Sequence, residues 1–177
     1  MRGVVLVTGV MAAGKSTVAQ ALAERLPRAA HVRGDVFRRM IVSGREEYVP
    51  AASGEAFAQL RLRYRLSAAT ADAYAEAGFT AVVQDVVLGE DLSAYIALLR
   101  TRPLYVVVLA PDAETITARE AGRAKRGYGD AAWTIPALDE ALRESTPRIG
   151  LWLDTSALTP TQTVEAILAG RERARVP

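Results

Sequence analysis

The stretch GVMAAGKS at residues 9–16 decides the fold, because it matches the phosphate-binding pattern G-x-x-x-x-G-K-[ST]. A β-branched run from Val4 to Thr8 precedes it and predicts a strand. The segment from Ser16 to Leu26 follows it and is expected to be a helix that Pro27 ends. The pattern requires this order of strand, loop and helix. The sequence therefore predicts a P-loop that holds the phosphates of a nucleotide.

Each position of the P-loop has a physical role in holding phosphate. Gly9 and Gly14 permit the backbone angles that turn successive N–H groups inward, where they act with the positive end of the next helix. We expect Lys15 to reach the β- and γ-phosphates, Ser16 to ligate Mg²⁺, and Thr17 to contact the α-phosphate. The predicted nucleotide-binding residues here are Gly9, Ala12, Ala13, Gly14, Lys15, Ser16 and Thr17.

Strands and helices are predicted to alternate along the rest of the chain. Strands are predicted at His31 to Arg33, Thr80 to Leu88, Leu104 to Ala110 and Gly150 to Asp154, and helices at Val36 to Val42, Glu55 to Ala77 and Thr159 to Arg173. The runs at 80–88 and 104–110 are continuously apolar, which is typical of strands buried on both faces of a parallel sheet. The alternation predicts a five-stranded parallel α/β sheet with helices on both faces, in a single domain over residues 1–177. We expect the last residues, Arg171 to Pro177, to fray.

The composition excludes several kinds of site. The chain has no cysteine and one histidine, so disulfides, cysteine-ligated zinc and histidine-based triads are excluded. No apolar run reaches the roughly 18 residues that span a bilayer, and no cleavable signal pattern is present, so we expect a cytoplasmic protein without a membrane partner. The formal charge of +2 is dispersed along the chain, so nucleic acid is not expected as a partner. A monomer and a homodimer both stay open.

Two absences narrow the class of P-loop protein. The chain has no asparagine, so it cannot contain the N-K-x-D motif that reads guanine in GTPases. Its 177 residues are too few for a typical AAA+ motor with an added helical domain. The class that remains is a compact kinase with a small-molecule acceptor.

Two carboxylates are predicted near the P-loop. Asp35 follows the second strand and Asp85 ends the third, and the carboxyl ends of parallel strands share one edge of the sheet. Asp35 can orient an acceptor hydroxyl and take its proton, or it can simply cap the helix that begins at Val36. Asp85 can hold Mg²⁺ in the manner of a Walker B carboxylate, contact the acceptor, serve as the base, or have a structural role. Arg38, one turn after Asp35, can bind an anionic group of the acceptor.

A basic cluster follows the fourth strand and leads into Gly127-Tyr128-Gly129. A solvated surface is the ordinary explanation for such a run. In a P-loop kinase, however, a mobile lid at this position brings arginines onto the transferring phosphoryl group. We therefore predict a lid over about residues 119–132. Its catalytic candidates are Arg119, Arg123 and Arg126.

Three segments resemble the small P-loop kinases of the nucleoside-monophosphate-kinase-like group. The segment GDVFR at residues 34–38 resembles the G-D-x-x-R of adenylate kinases. The segments VQDVVLG at 83–89 and LDTS at 153–156 are similar to chloramphenicol phosphotransferase and to proteins labelled gluconate kinases. The resemblance covers nearly the whole chain and implies a three-layer P-loop kinase fold with sheet order 2-3-1-4-5.

The same resemblance implies the roles of several residues. It implies transfer from ATP with Mg²⁺ and assigns the acceptor base to Asp35. It also implies that Thr155 and Ser156 lie beside the adenine, and that Arg119 belongs to the nucleotide site as well as to the lid.

The acceptor pocket is expected to be lined by the region from Arg45 to Phe57. Phe57 and the aromatic and apolar residues before it favour a partly apolar acceptor, which suits an antibiotic better than a phosphorylated sugar. A different acceptor would be a nucleoside monophosphate or the 5′ end of a polynucleotide, with Arg38, Arg61 and Arg65 binding its phosphate. A third interpretation is a non-catalytic regulatory protein that binds ATP.

Overall fold

The computed structural model describes residues 1–49, 52, 54–122, 128 and 133–177. Within these ranges the strands are β1 (Val4–Thr8), β2 (Ala29–Arg33), β3 (Thr80–Gln84), β4 (Leu104–Leu109), β5 (Leu151–Leu153) and β6 (Arg175–Val176). The helices are α1 (Lys15–Arg25), α2 (Gly34–Arg39), α3 (Gly54–Glu76), α4 (Asp91–Leu98), α5 (Ala113–Ala121), α6 (Ile135–Glu140), α7 (Pro160–Ala169) and α8 (Arg171–Ala174), and a π-helical turn (Ala141–Ser145) follows α6.

Five parallel strands form the sheet in the order β2-β3-β1-β4-β5. The central strand pairs on one side through Val5 with Val82, and on the other side through Val5 with Tyr105. Every residue of β1 and β3 is buried, because helices cover both faces of the sheet. The predicted α/β class, parallel sheet and strand order are therefore confirmed.

The chain adds a sixth strand that the sequence did not predict. β6 pairs antiparallel with the start of β4, and Leu104 lies opposite Val176. Only Val107 to Leu109 of β4 pair with the short β5, so the edge beside Leu104 and Tyr105 offers β6 an unpaired ladder. Ala174 and Val176 are buried there. The expectation that residues 171–177 fray was therefore wrong.

The apolar run after β3 leaves the sheet earlier than the sequence predicts. β3 ends at Gln84, and the following residues turn across the end of β1. The Thr8 hydroxyl donates to the Val87 carbonyl at 2.9 Å and accepts from the Val87 amide at 3.0 Å. The Tyr64 hydroxyl of α3 donates to the Val86 carbonyl at 2.9 Å. These bonds direct residues 85–88 toward the carboxyl edge of the sheet.

Among the described residues, no helix combines the length and apolar character needed to cross a bilayer.

Val176→Ala tests the burial of the C-terminal strand. Val176 is 7% exposed, so the loss of its two terminal carbons should lower the free energy of unfolding by about 1–2 kcal/mol. Chemical denaturation followed by circular dichroism measures the change. Val42→Ala is the matched control, since Val42 is 96% exposed and its truncation should change stability by less than about 0.5 kcal/mol. Equal effects of the two substitutions would contradict a packed C-terminus.

Candidate active site

The loop between β1 and α1 has the backbone conformation of a phosphate cradle. Three of its residues have positive φ, namely Gly9 (143°), Ala12 (59°) and Gly14 (92°). A Cβ on Gly9 would overlap the Leu109 carbonyl oxygen at the end of β4, so this position also needs glycine for close approach. Gly14 is the N-cap of α1, and the first turn of that helix contains no acidic residue. Its positive end is thus directed at the loop.

Lys15 and Ser16 connect this loop to its surroundings. The Lys15 side chain is largely buried, and its Nζ donates to the Val10 carbonyl at 2.7 Å, across the loop. The Ser16 hydroxyl donates to Oε1 of Gln84 at 3.3 Å. Gln84 ends β3 and is buried, and it was not among the predicted site residues. Its amide oxygen is a second possible metal ligand beside Ser16, the predicted magnesium ligand.

A cleft of about 750 Å³ opens above the carboxyl edge of the sheet. The P-loop residues, with Ala13 and Thr17, line one end of it. Residues from α2, from the segment before α3, from α3 itself and from the loop after β3 line the other end. The predicted residues that line this cleft are Ala12, Ala13, Gly14, Lys15, Ser16, Thr17, Asp35, Arg38, Asp85, Arg119 and Thr155. We call the end at the P-loop the donor half and the opposite end the acceptor half.

Asp35 lies in the first turn of α2, as its position after the second strand predicts. Nη2 of Arg39 lies 3.1 Å from one carboxylate oxygen, and Nε of Arg33 lies 3.7 Å from the other. No side-chain cap bond forms at this helix, so the alternative role of Asp35 as an N-cap is not seen. Among the described residues, none donates a hydrogen bond to the buried Oδ1. This oxygen is available to a ligand in the cleft.

Asp85 is fully buried and is held by Arg63 of α3. Nε of Arg63 donates to Oδ2 of Asp85 at 2.8 Å, and Nη2 of Arg63 pairs with Oδ1. Oδ1 also accepts from the Val86 amide at 2.7 Å. A Cβ on Gly34 would overlap this carboxylate, so the glycine before Asp35 allows Asp85 to approach the start of α2. The metal and acceptor roles predicted for Asp85 stay predictions.

Sequence reasoning missed Arg63 although a signal was present. Arg63 is three residues after Leu60 and precedes the buried Tyr64, at a position of α3 that faces the cleft. A charged residue among buried helical positions needs a partner. Arg61 and Arg65, which the sequence analysis considered instead, are exposed. Burial lowers the pKa of Arg63.

Aromatic residues form one wall of the acceptor half. The ring centroids of Tyr48 and Trp133 are 5.8 Å apart, and Nε1 of Trp133 donates to the Tyr48 carbonyl at 3.3 Å. Both rings line the cleft. Phe57, the predicted acceptor contact, packs edge-on against Tyr48 at 5.2 Å and is 44% exposed. Tyr48, rather than Phe57, thus presents its ring to the cleft.

Two further charged residues belong to the acceptor half: Glu47, which lies in the region expected to line the pocket but was not singled out, and Asp91, which was not predicted. Glu47 lies 2.5 Å from Nη1 of Arg38, so the arginine that was expected to bind an anion has a carboxylate partner. Asp91 begins α4 and lines the cleft. Burial raises the pKa of Asp91, and the nearby Arg61 partly opposes this rise.

Arg119 connects the P-loop with the loop after β5. Its guanidinium donates to the Ala13 carbonyl at 3.3 Å and to the Thr155 carbonyl at 2.8 Å. The buried Thr155 hydroxyl has no hydrogen-bond partner among the described residues. Ser156 lies farther from the cleft, where its hydroxyl donates to Asp154 at 2.6 Å and accepts from the Asp112 amide.

Most of the predicted lid lies outside the described residues, including Arg123 and Arg126. Residue 128 is described, and the Tyr128 hydroxyl donates to the Met11 carbonyl of the P-loop at 2.9 Å. The structure thus places one residue of this segment against the donor half.

The chain belongs to the AAA domain family AAA_33, whose model matches residues 4–147. The match includes the P-loop, Asp35, Asp85 and Arg119. No curated protein matches the chain.

Solved structures with the same fold include kinases and a resistance protein. A sugar kinase from a Janibacter species is 22% identical, with a TM-score of 0.68 over 98% of this chain and 96% of its own. The Deinococcus radiodurans tunicamycin resistance protein is 16% identical, with a TM-score of 0.69 over 100% and 99% of the two chains. The Mycobacterium tuberculosis APS kinase, in complex with AMPPNP and APS, is 16% identical, with a TM-score of 0.69 over 97% and 98%. The fold is therefore that of P-loop kinases.

A double-mutant cycle tests the buried ion pair. Arg63→Ala should lower the free energy of unfolding by about 3–5 kcal/mol, because it leaves the Asp85 carboxylate buried without its partner. The double variant Arg63→Ala/Asp85→Ala should lose much less free energy of unfolding than the sum of the losses in the two single variants. The coupling energy should be about 0.5–3 kcal/mol. Arg65→Ala, two residues away and exposed, is the matched control and should be nearly neutral. Additive effects in urea denaturation would refute the pair.

Proposed function

We propose that this member of the AAA_33 family is an ATP-dependent phosphotransferase that moves the γ-phosphate to a hydroxyl group of a small molecule. One observation carries the proposal: a phosphate cradle with Lys15 and a carboxylate oxygen of Asp35 without a hydrogen bond from the described residues line the same cleft. Phosphoryl transfer needs this combination of electrostatic stabilisation and a group that positions the acceptor.

The donor half has the groups that a nucleoside triphosphate requires. The loop with positive φ at Gly9, Ala12 and Gly14 and the positive end of α1 suit the β-phosphate. The Lys15 ammonium suits the β- and γ-phosphate oxygens. Arg119 and the Thr155 hydroxyl, which has no hydrogen-bond partner among the described residues, lie on the side of the cleft where we place the base and sugar. The APS kinase with the same fold was solved with AMPPNP, which supports ATP as the donor. We propose Arg123 and Arg126 as further lid residues.

Mg²⁺ fits the oxygen donors that converge beside Ser16. The Ser16 hydroxyl and the Gln84 amide oxygen lie 3.3 Å apart, and Asp35 and Asp85 line the same cleft. Mg²⁺ prefers oxygen ligands and commonly retains several waters. When bound, it would offset the negative charge of the triphosphate.

Asp35 suits the role of general base better than Asp85. In the proposed step, the acceptor oxygen forms a bond to the γ-phosphorus while the bond from that phosphorus to the β–γ bridging oxygen breaks. Asp35 takes the proton of the acceptor hydroxyl, and ADP leaves. Both oxygens of Asp85 are engaged by Arg63 and the Val86 amide, whereas Oδ1 of Asp35 accepts no hydrogen bond from the described residues.

An antibiotic with a hydroxyl group is one acceptor that this cleft suits. The aromatic wall of Tyr48 and Trp133 would cover an apolar part of such a molecule. One protein with the same fold is a tunicamycin resistance protein, and another is a sugar kinase. The class of acceptor is therefore the main question for a substrate screen.

A screen of ATP consumption tests the proposed activity, with Lys15→Ala as its specific variant. Coupled assays with antibiotics, sugars, nucleosides and nucleoside monophosphates should identify an acceptor. Lys15→Ala should reduce transfer to it by about 10²–10³-fold, because the charge next to the transferring phosphate is lost. Arg25→Ala, at the exposed end of α1, is the control and should keep full activity. ATP binding with no consumption and no transfer would instead support a regulatory protein.

Asp35→Asn separates base catalysis from nucleotide binding. The substitution should lower kcat by about 10²–10⁴-fold and leave the Kd for ATP nearly unchanged, because Asp35 lies on the acceptor side. Steady-state kinetics and calorimetric titration with ATP measure the two quantities. Glu165→Gln removes an exposed carboxylate from the surface and should change neither. Normal turnover in Asp35→Asn would remove it as the base and direct attention to Asp85.

A further inference from the structure

The acceptor half of the cleft has an excess of negative charge. Six charged residues of this half line the cleft. Four are acidic, namely Asp35, Glu47, Asp85 and Asp91, and two are basic, namely Arg38 and Arg63. Lys15 and Arg119 lie in the donor half, where a triphosphate would bind. The acceptor therefore meets two more carboxylates than guanidinium groups among the described residues.

Both arginines of the acceptor half already have carboxylate partners. Arg63 pairs with the buried Asp85, and Arg38 pairs with Glu47 at 2.5 Å. An anionic acceptor would have to displace a carboxylate from one of these arginines and then lie beside it. Like charges at such distances repel each other. Phosphate, sulfate and carboxylate groups are therefore poorly matched to this half.

Asp91 is placed to meet a positive charge. It lines the cleft from the first turn of α4, and none of the described residues donates a hydrogen bond to its carboxylate. Glu90 precedes it and raises its pKa further, whereas the positive charge of Arg61 lowers that pKa. A protonated amine would give this half-buried carboxylate a charged hydrogen-bond donor.

Tyr48 and Trp133 line the same half of the cleft as Asp91. Their rings are tilted by 34° and form the aromatic wall described above. The wall and the carboxylate belong to one cleft of about 750 Å³. Aromatic faces bind apolar rings and also attract cations. A ligand can thus contact the wall and Asp91 at once.

We infer that the acceptor is a hydroxylated amine, with a protonated amino group that pairs with Asp91 and an apolar or aromatic body that packs on Tyr48 and Trp133. The inference rests on the proposed function, because it takes this half of the cleft as the acceptor site. The inferred class of acceptor does not include anionic molecules such as nucleoside monophosphates or sugar phosphates.

Matched compounds on one scaffold test this inference. A panel of aromatic amino alcohols is compared with the N-acetyl derivatives, which are neutral, and with the N-succinyl derivatives, which are anionic. The chain has two tryptophans, so Trp152→Phe leaves Trp133 as the single reporter of binding. Quenching of Trp133 fluorescence, with a non-hydrolysable ATP analogue present, gives the Kd of each compound. Transfer from ATP is measured in parallel with unsubstituted protein.

We expect the amines to bind at least about tenfold more tightly than their N-acetyl forms, and the N-succinyl forms to bind most weakly. Asp91→Asn should reduce this preference to less than about threefold, whereas Asp91→Glu, which keeps the charge, should retain most of it. Glu90→Gln changes the net charge equally but does not line the cleft, so it should retain the preference.

Three results would overturn the inference while the proposed function stands or falls separately. They are tighter binding of neutral or anionic forms, a preference that survives Asp91→Asn, and no binding of any amine in the panel. Amine binding that depends on Asp91, but without transfer of phosphate that depends on Lys15, would support the inference about the cleft and contradict the proposed activity.

Discussion

The buried carboxylate of Asp85 is the interaction on which the arrangement of the cleft depends. A carboxylate without solvent is costly unless other groups compensate for it, and here the compensation comes from Arg63 and the Val86 amide. The ion pair joins α3 to the end of β3. Because Asp85 also lies against Gly34, α2 has to begin at this same point. The position of Asp35, the next residue, follows from that contact.

The parallel sheet places the second half of the site by a similar constraint. Connections from β1 run toward β2, whereas those from β4 run toward β5, so the strand order reverses between β1 and β4. Open α/β sheets bind ligands at such a point, beyond the carboxyl ends of the strands. The P-loop lies there, with Gly9 against the carbonyl of Leu109. The donor and acceptor halves thus both lie at the carboxyl edge of the same sheet.

The features that the sequence predicted are those encoded over short distances. The P-loop pattern at residues 9–16 and the apolar runs of β3 and β4 are local signals, and strand order followed from the resemblance to P-loop kinases. The features that it missed depend on contacts between distant residues. Arg63 is 22 residues from Asp85, and Trp133 is 85 residues from Tyr48. β6 was missed for the same reason, because its stability comes from the unpaired edge of β4 rather than from its own two residues.

The contacts of Tyr128 and Trp133 bear on how the two halves act together in the proposed reaction. Tyr128 donates a hydrogen bond to the P-loop, in the donor half, and Trp133 donates one to Tyr48, in the acceptor half. Both residues lie in or directly after the segment predicted as a lid. A movement of either residue away from the cleft would break its contact with one half. The contacts of Tyr128 and Trp133 therefore depend on both halves of the cleft. In the proposed reaction, such a dependence would help to keep water from the transferring phosphate.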